Sequence, residues 1–326
     1  MISVDLGYGY VKALSKEKKE RRVIFPSVIA PAQESTADFG KLLDYLLEYR
    51  NKDEITKHRF FVGDLAARGS IVPEASLDSA KFTQQRSVAM VLTAAYLLEC
   101  EGQIPLALGL PLAYYKNQYR DVMSVFQRIA AHVSVNKGPE RFISFSEVHV
   151  FPQGAGAVYA QENLPEKGLV GLLDIGYHTT ECVLFECTPE TIEPLNPYNL
   201  TVEIGVSTAM KFFSERVGQM TGEPVSLIDA QYLWKKRRFT FRGVPVDTSV
   251  IIDEAKKATV SSLMGAVKSA WMEKASRIDD LLLSGGGSIE FCDDLKKAFP
   301  LARLGKDPQF ANALGYLELT EGGAQG

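Results

Sequence analysis

A short motif recurs after about half of the chain. The segment VDLGYG at residues 4–9 returns as LDIGYH at residues 173–178. Each copy ends one strand-like run and precedes another, at residues 10–14 in the first case and 182–185 in the second. Two such runs joined by a turn rich in Asp and Gly predict a β-hairpin. The repeat therefore predicts a chain built from two similar halves.

Segments with strand and helix patterns alternate through both halves. Strands are predicted at residues 25–30, 60–64, 106–111, 142–145, 148–151 and 280–283, and helices near 41–49, 87–100, 116–129, 207–221, 253–275 and 309–319. A helix of small residues is expected to open at Pro152, because proline is tolerated at the first helical position. Such alternation favours an α/β fold in each half. With 326 residues and 46% hydrophobic content, the chain is long enough for two cores.

Charge and hydropathy argue against two classes of partner. The formal net charge of -4 gives no general attraction to nucleic acid or to an anionic membrane. No basic segment precedes the first strand, and the apolar runs are too short to cross a bilayer. We therefore expect a cytoplasmic protein that binds neither DNA nor membrane directly.

The four cysteines show no metal-binding spacing. They form no CxxC pair and have no histidine nearby at a zinc spacing. Cys182 and Cys187 are five residues apart on a predicted strand, so their side chains are expected on opposite faces. The prediction is reduced thiols in the core.

The turn of the first hairpin, which we call the first tip, has the composition of a phosphate site. Glycine lets the backbone approach a phosphate closely and direct amide groups at it. Gly7, Tyr8 and Gly9 are expected to donate amides, and Lys12 to place an ammonium near the phosphates. The corresponding second tip has four candidate contacts, Gly176, Tyr177, His178 and Thr179.

An aspartate precedes each tip. Asp5 and Asp174 would repel a polyphosphate unless a cation lay between them, and Mg²⁺ is the usual cation in such sites. Because Mg²⁺ keeps several waters, both carboxylates are expected to act mainly through coordinated water. A single Asp-x-Gly turn is commonly structural, and the two spaced copies favour the functional reading.

Two further segments carry candidate residues. Gln153 stands where a strand meets a helix, so its amide is placed to orient an attacking water, or alternatively to bond the backbone at a helix end. Gly285, Gly286 and Gly287 follow a strand and precede a helix expected to begin near residue 288. That position suits adenosine and an α-phosphate, although plain loops also contain such runs.

The basic run KKRR at residues 235–238, followed by aromatic residues, has two interpretations. Charge with stacking rings is typical of nucleic-acid contact, but a solvated helix end is favoured.

Five segments together resemble the actin-like ATPases over nearly the full chain. They are DLGYGYVK at 5–12, PQGAGA at 152–157, LDIGYHTT at 173–180, SGGG at 284–287 and DPQFANALGY at 307–316. Within that superfamily, which includes Hsp70 and hexokinase, the first segment, the FPS at 25–27 and the FANALGY ending resemble the ParM/StbA plasmid-partition proteins and their archaeal relatives.

The resemblance implies two RNase H-like domains, each a mixed sheet flanked by helices, with a nucleotide cleft between them. Domain I would span residues 1–152 with a small insert at about 26–75, domain II residues 153–311 with an insert at about 207–260, and a C-terminal helix at 312–326 would return to domain I. It implies Mg²⁺ and ATP, or possibly GTP, as ligands, with Asp5 at hydrated magnesium, Lys12 at phosphate, and Gln153 and Asp174 at the hydrolytic water. Many relatives have Glu where this chain has Gln153, which is consistent with slow hydrolysis.

The family further implies filament assembly and DNA segregation through a DNA-binding adaptor of the ParR type. A small-molecule kinase of the same fold is the main alternative, but no convincing carboxylate base stands between residues 110 and 153. The chain is short for an Hsp70-like chaperone, and it has no terminal amphipathic helix typical of a membrane-bound actin. Fold by itself does not separate these functions.

Overall fold

The computed structural model describes residues 1–17, 21–32, 44–64, 66 and 84–322. The chain packs into two compact units. Unit 1 is Met1–Glu162 with Gln309–Gly326, and unit 2 is Asn163–Pro308. The domain boundaries expected at residues 152 and 311 stay a prediction.

Unit 1 contains a mixed sheet with nine strands among the described residues. Its strands are β1 (Ile2–Leu6), β2 (Tyr10–Ser15), β3 (Arg22–Pro26), β4 (Ile29–Pro31), β5 (Asp44–Asn51), β6 (His58–Gly63), β7 (Gly102–Leu110), β8 (Ala130–Val135) and β9 (Arg141–Pro152). Their order across the sheet is β3-β2-β1-β7-β9-β8-β5-β6-β4. The β1–β2–β3 meander is antiparallel, whereas β1, β7 and β9 run parallel.

Four helices of unit 1 lie in the described part of the chain. They are α1 (Gln85–Leu97), α2 (Leu112–Gln127), α3 (Ala155–Tyr159) and α8 (Ala311–Gly322). Residues 87–96 of α1 are all buried, as expected for a helix that is apolar around its whole circumference. Helix α8 packs on β2 through Ala313 and Leu317, which contact Leu14.

Unit 2 repeats the arrangement of strands at the start of unit 1. Its strands are β10 (Gly168–Ile175), β11 (Thr180–Cys187), β12 (Ile192–Pro194), β13 (Leu200–Val202), β16 (Asp280–Ser284) and β17 (Ala302–Leu304). The order is β12-β11-β10-β16-β17, with β13 also paired to β11. As in unit 1, an antiparallel meander is followed by parallel strands. The sequence repeat is therefore a structural repeat, and the predicted mixed α/β architecture is confirmed.

The helices of unit 2 cover its sheet and carry a small separate hairpin. They are α4 (Val206–Thr221), α5 (Leu227–Lys236), α6 (Ser249–Trp271) and α7 (Gly286–Ala298). Two short 3₁₀ turns lie at Asn196–Tyr198 and Met272–Arg277. Among the residues that the structure describes, strands β14 (Arg238–Phe241) and β15 (Val244–Asp247) pair only with each other.

The helix predicted at residues 41–49 is wrong where the structure describes it. Residues 44–51 form strand β5, which pairs with β6 on one side and β8 on the other, while residues 41–43 lie outside the described residues. Leu46 and Leu47 are both buried because both faces of this part of the sheet are covered. Two buried neighbours in succession obscure the period of two that marks a strand.

The two strands predicted at 142–145 and 148–151 are one strand, β9. Its pairing with β7 shifts register between Ile104 and Leu106, so β9 carries one extra residue there. Pro105, which lies between them, has no amide hydrogen to give to the ladder, and this favours a bulge at that position. The polar residues at the bulge produced the apparent break in the sequence pattern.

Other predicted ends of strands and helices differ from those in the structure, and these differences lie at turns. The strand predicted at 25–30 is divided between β3 and β4, and Pro152 ends β9 instead of opening α3. Gly154, with φ of 87°, makes the turn into α3, a conformation that favours glycine. Helix α7 begins at Gly286, inside the glycine run instead of after it.

All four cysteines are free thiols and are buried, as predicted. Burial raises the pKa of the Cys182 and Cys187 thiols, with nearby carboxylates adding to the shift. Because the thiolate is the reactive form, we expect none of the four to react with a thiol reagent at neutral pH in the native protein, and all four to react in denaturant. Quantitative labelling before and after unfolding checks this, and rapid native labelling would contradict the buried placement.

Two further findings concern the described residues only. Within them, no helix has the length and apolar character that a bilayer crossing requires. No group of three or more His, Cys, Asp or Glu side chains within them is arranged to hold a metal.

Candidate functional site

The first tip brings together residues that are far apart in the sequence. Strands β1 and β2 pair with Asp5 directly opposite Lys12, which places both side chains on the same face of the sheet. Lys12 Nζ lies 2.9 Å from Asp5 Oδ2. Gln153, which directly follows β9, donates its Nε2 hydrogen to Asp5 Oδ1 at 3.0 Å. Both Asp5 oxygens therefore accept a hydrogen bond.

The backbone of the first tip is fixed by neighbouring segments. Ser27 donates from Oγ to the Gly7 carbonyl at 2.7 Å and from its amide to the Gly9 carbonyl at 2.9 Å. A Cβ on Gly7 would lie 2.7 Å from the Tyr10 carbonyl oxygen and 3.6 Å from Lys12 Nζ. The ammonium therefore lies beside the glycine backbone.

Gln153 is held by its backbone as well as by its side chain. Its amide donates to the Leu110 carbonyl at 2.7 Å, and the side chain is buried. The sequence left open whether the Gln153 side chain bonds the backbone at a helix end. In the structure, its amide instead donates to the Asp5 carboxylate. Gly154, the next residue, donates to Asn312 Oδ1 of α8 at 3.0 Å.

The second tip has the same register but pairs different residue types. Asp174 in β10 lies directly opposite Glu181 in β11, and both are buried. Directly opposed side chains in an antiparallel ladder lie side by side. The first tip thus carries a carboxylate beside an ammonium, whereas the second carries two carboxylates.

Glu181 was missed by the reasoning from sequence. It follows Asp174 by seven positions, the same interval that separates Lys12 from Asp5. Thr201 of β13 donates its hydroxyl to Glu181 Oε2 at 2.6 Å. The spacing alone would have identified Glu181 as the counterpart of Lys12.

The turn of the second tip is braced by the start of α4. The amides of Val206 and Ser207 donate to the carbonyls of Gly176 and Tyr177, at 3.2 and 2.7 Å. Gln231 of α5 donates its Nε2 hydrogen to the Tyr177 hydroxyl at 2.9 Å. Burial raises the pKa of that hydroxyl, and the bond from Gln231 opposes the rise. Tyr177 is therefore neutral and well positioned, while His178 and Thr179 are partly exposed in the same turn.

The glycine run packs against the end of β10. A Cβ on Gly285 would lie 2.7 Å from Asp174 Oδ1 and 2.3 Å from the Ile175 carbonyl oxygen, and Gly285 has a φ of 80°. Gly287 is also enclosed, by the Ile175 side chain, whereas Gly286 is partly exposed at the first turn of α7. Close packing of α7 on β10 thus requires two of the three glycines, whatever ligand they contact.

One cation near the first tip was not anticipated. Arg86, in the first turn of α1, lines a cavity of about 10 Å³ together with Leu6, Gly7 and Tyr8. A volume of this size holds about one water molecule.

Two families of known domains match the chain. The family described as "Actin like proteins N terminal domain" matches residues 3–156. The family described as "Archaeal actin homologue MreB-like, C-terminal" matches residues 172–297. No curated protein sequence matches the chain.

Solved structures share the fold over nearly the whole chain. A ParM from a 15-stranded filament of Clostridium botulinum is 23% identical over 98% of both chains, with a TM-score of 0.84. The archaeal actin homologue Ta0583 is 21% identical over 98% of this chain and 99% of its own, with a TM-score of 0.81. Bacillus thuringiensis ParM with ATP is 13% identical over 100% and 99%, with a TM-score of 0.72.

At these identities, the structural similarity establishes the fold, and the two domain families establish the relationship. The chain belongs to the actin-like proteins, with an N-terminal half of the actin-like type and a C-terminal half of the archaeal MreB-like type.

Proposed function

We propose that this protein is an actin-like ATPase that binds Mg-ATP and assembles into filaments. The observation that carries the proposal is the cluster at the first tip, where Lys12 and Gln153 converge on Asp5 beside a glycine turn. A fixed cation, an amide and an exposed turn backbone are the groups that recognise phosphate.

The related structures support the ligand and the assembly. Ta0583 has been solved in complex with ADP, and Bacillus thuringiensis ParM with ATP. The Clostridium botulinum ParM forms a filament. We extend nucleotide binding and self-association to this chain, with ATP as the nucleotide and GTP as the alternative.

Each predicted contact has a role in this proposal. The amides of Gly7, Tyr8 and Gly9 bind the β-phosphate, and Lys12 shares its ammonium between Asp5 and the phosphates. The turn of the second tip contacts the γ-phosphate. The first turn of α7 faces the α-phosphate and adenosine, because a helix N-terminus carries free amides and a partial positive charge.

The residues at the tips fit magnesium bound largely through water. Because both Asp5 oxygens already accept hydrogen bonds, Asp5 is suited to contact a hydrated ion instead of a bare one. Mg²⁺ commonly uses one or two carboxylates with substrate phosphates, and each tip has an aspartate, Asp5 in the first and Asp174 in the second. Asp174 and Glu181, buried side by side, place two carboxyl groups at the second tip. When bound with the nucleotide, the ion would offset phosphate charge.

Hydrolysis requires a water aligned with the γ-phosphorus. Since Gln153 Nε2 donates to Asp5, the atom with which Gln153 accepts a hydrogen bond from that water is Oε1. Asp174 orients the same water from the second tip. The water oxygen bonds to phosphorus, the bond to the β-phosphate oxygen breaks so that ADP leaves, and the proton of the water passes to the released phosphate. Because glutamine cannot readily accept that proton, the step is slow.

We further propose that filament assembly follows ATP binding and that hydrolysis loosens the filament. The cargo in this proposal is DNA, held through a separate DNA-binding adaptor of the ParR type. The net charge of -4 agrees with an adaptor, because the chain as a whole does not attract DNA.

Sedimentation and light scattering with Mg-ATP, Mg-GTP, Mg-ADP and ATP with a chelator test the proposal. We expect assembly above a critical concentration with magnesium and a nucleoside triphosphate, accompanied by phosphate release. Absence of assembly at every concentration, together with phosphorylation of a small metabolite, would instead establish a kinase.

Exchange of Glu181 for Gln tests the charge difference between the tips. We expect the Mg²⁺ concentration needed for half-maximal ADP binding to rise about tenfold, because one of two adjacent carboxylates is neutralised. Binding of a fluorescent ADP analogue over a magnesium series measures it. Glu186→Gln, an exposed position on the same strand, is the control. Equal magnesium dependence in both variants would remove Glu181 from this role.

A further inference from the structure

Arg86, in the first turn of α1, has a buried nitrogen that bonds nothing among the described residues. Its Nη2 donates to Gln84 Oε1, whereas its Nε is buried without an acceptor there. No ion pair joins the guanidinium to a carboxylate in that part of the chain. A buried N–H group without an acceptor costs free energy, so such a group in a native protein calls for a ligand that supplies one.

Arg86 also brings a net positive charge to the surroundings of the first tip. Asp5 and Lys12 form an ion pair, so together they contribute no net formal charge, and Gln153 is neutral. The other side chains and backbone segments that line the cavity beside Arg86 are uncharged. They belong to Leu6, Gly7, Tyr8, Ser27, Ser87 and Met90.

The guanidinium reaches the first tip from the face of the sheet opposite to Lys12. Asp5 and Lys12 share one face of the β1–β2 pair. Side chains alternate along a strand, so their neighbours Leu6 and Val11 point to the other face. Both neighbours belong to the hydrophobic core that α1 covers. Because the cavity holds about one water molecule, Arg86 lies no more than about one water from the turn.

The position of Arg86 in its helix is unfavourable for stability alone. A helix N-terminus carries a partial positive charge, to which a cation in the first turn adds. The first turn of α1 contains no acidic residue that would offset this charge. A bound anion would compensate both the side chain and the helix end. The position therefore favours a binding role over a structural one.

We propose that Arg86 binds the β-phosphate of the nucleotide at the first tip, as a second cation in addition to Lys12. The inference rests on the proposed function, in which the amides of Gly7, Tyr8 and Gly9 bind that phosphate. The cavity of about 10 Å³ is too small for a phosphate, so the contact is made at its rim, where Arg86 is partly exposed. A guanidinium directs its N–H donors in one plane, which suits two parallel hydrogen bonds to phosphate oxygens.

The start of α1 is anchored without the guanidinium. Gln85 Nε2 lies 2.7 Å from His58 Nδ1 of β6, and the Ser87 amide donates to the Gln84 carbonyl at 3.0 Å. Residues 87–96 of the helix are buried in the core. Exchange of Arg86 therefore changes charge and hydrogen bonding at the tip while these anchors remain.

The test compares Arg86→Gln and Arg86→Lys with a control, Arg128→Gln. Arg128 directly follows α2 in unit 1 and is exposed. Equilibrium binding of a fluorescent ADP analogue with Mg²⁺, at several salt concentrations, measures the affinity and its salt dependence. Urea unfolding without nucleotide measures the stability of each protein.

We expect Arg86→Gln to weaken ADP binding about tenfold and to flatten its salt dependence, because one charge-assisted contact is lost. Arg86→Lys keeps the charge but not the planar fork, so its loss should be smaller. The nucleotide-free stability of Arg86→Gln should equal or exceed that of the wild type, since a cation leaves a helix N-terminus. Arg128→Gln should bind ADP within about twofold of the wild type.

Two results would overturn the inference while the proposed function stands. In the first, the wild-type protein binds ADP and Arg86→Gln binds it equally well, so that Arg86 takes no part in phosphate binding. In the second, Arg86→Gln binds ADP weakly with the salt dependence of the wild type and is less stable without nucleotide, so that its role is structural. A wild-type protein that binds no nucleotide would overturn the proposed function, and this inference with it.

Discussion

Replacing Asp174 by alanine is expected to reduce phosphate release from Mg-ATP by about 10²-fold or more while ATP binding is retained. The magnitude is that of a lost group which acts mainly in the transition state. Asp174 is buried at the end of β10, opposite Glu181, and a Cβ on Gly285 would contact its carboxylate. It is therefore held rigidly, as a group that orients water needs to be. Single-turnover phosphate release and equilibrium binding of ATP are measured together.

Two further variants separate chemistry from folding. Asp174→Asn keeps the size of the side chain, so a loss of hydrolysis in both variants with unchanged urea unfolding is a catalytic effect. Asp293→Ala, at an exposed position of α7, is the control and should release phosphate at the wild-type rate. Unchanged phosphate release in Asp174→Ala would remove Asp174 from its assigned role, and lost ATP binding would make it a binding residue.

The second large effect is expected from Gly315→Ala, where α3 and α8 cross in unit 1. A Cβ on Gly315 would lie 1.8 Å from the carbonyl oxygen of Gly156, and a Cβ on Gly156 would lie 2.7 Å from that of Asn312. Both obstacles are backbone atoms, so side-chain rotation cannot relieve the clash. We expect a loss of about 3 kcal/mol in the free energy of unfolding, at the upper end for an added methyl group. Urea unfolding followed by far-ultraviolet circular dichroism measures it.

For Gly265, a helical glycine that serves as the control, we expect the opposite change in the free energy of unfolding. Gly265 in α6 is exposed, and no atom lies within 4 Å of a Cβ built on it. Gly265→Ala should stabilise the protein by about 0.5–1 kcal/mol, because alanine restricts the unfolded chain and favours the helix. Both tryptophans, Trp234 and Trp271, belong to unit 2, so their fluorescence follows this variant. Equal stability changes in the two variants would contradict the close helix crossing at Gly315.

Much of the candidate site was accessible from the sequence because its residues sit at repeated, local signals. Asp5 and Asp174 each end a strand before a glycine turn, and antiparallel pairing with a short turn places the residue seven positions later opposite each of them. The chemistry of the tips is therefore encoded within eight-residue segments. Whether these segments bind nucleotide stays a prediction.

The contact between Gln153 and Asp5, in contrast, depends on strands that are far apart in the sequence. The two residues are 148 positions apart and meet because β9 runs parallel to β7, which runs parallel to β1. No local pattern encodes the order of strands in a sheet. The sequence suggested a role for Gln153 from its place where a strand meets a helix and again by resemblance, but only the sheet supplied its partner.

The failures have the same origin. Residues 44–51 form a strand because β6 and β8 flank them, although their local pattern suggested a helix. Local propensity is a small bias per residue, and pairing on two sides outweighs it. From the sequence, Gly285 and Gly287 were interpreted only as part of a ligand-binding loop. In the structure, they are also needed for α7 to pack closely on β10.

The sequence by itself determined the two-fold repeat, the alternation of strands and helices and the residue types at each tip, since all of these depend on neighbours along the chain. The tertiary structure decided which strands adjoin, that Lys12 forms an ion pair with Asp5, and that Glu181 lies beside Asp174 at the second tip. The physical reason is that hydrogen-bonded ladders and buried charges depend on residues brought together across long sequence separations, and such proximity has no local signature.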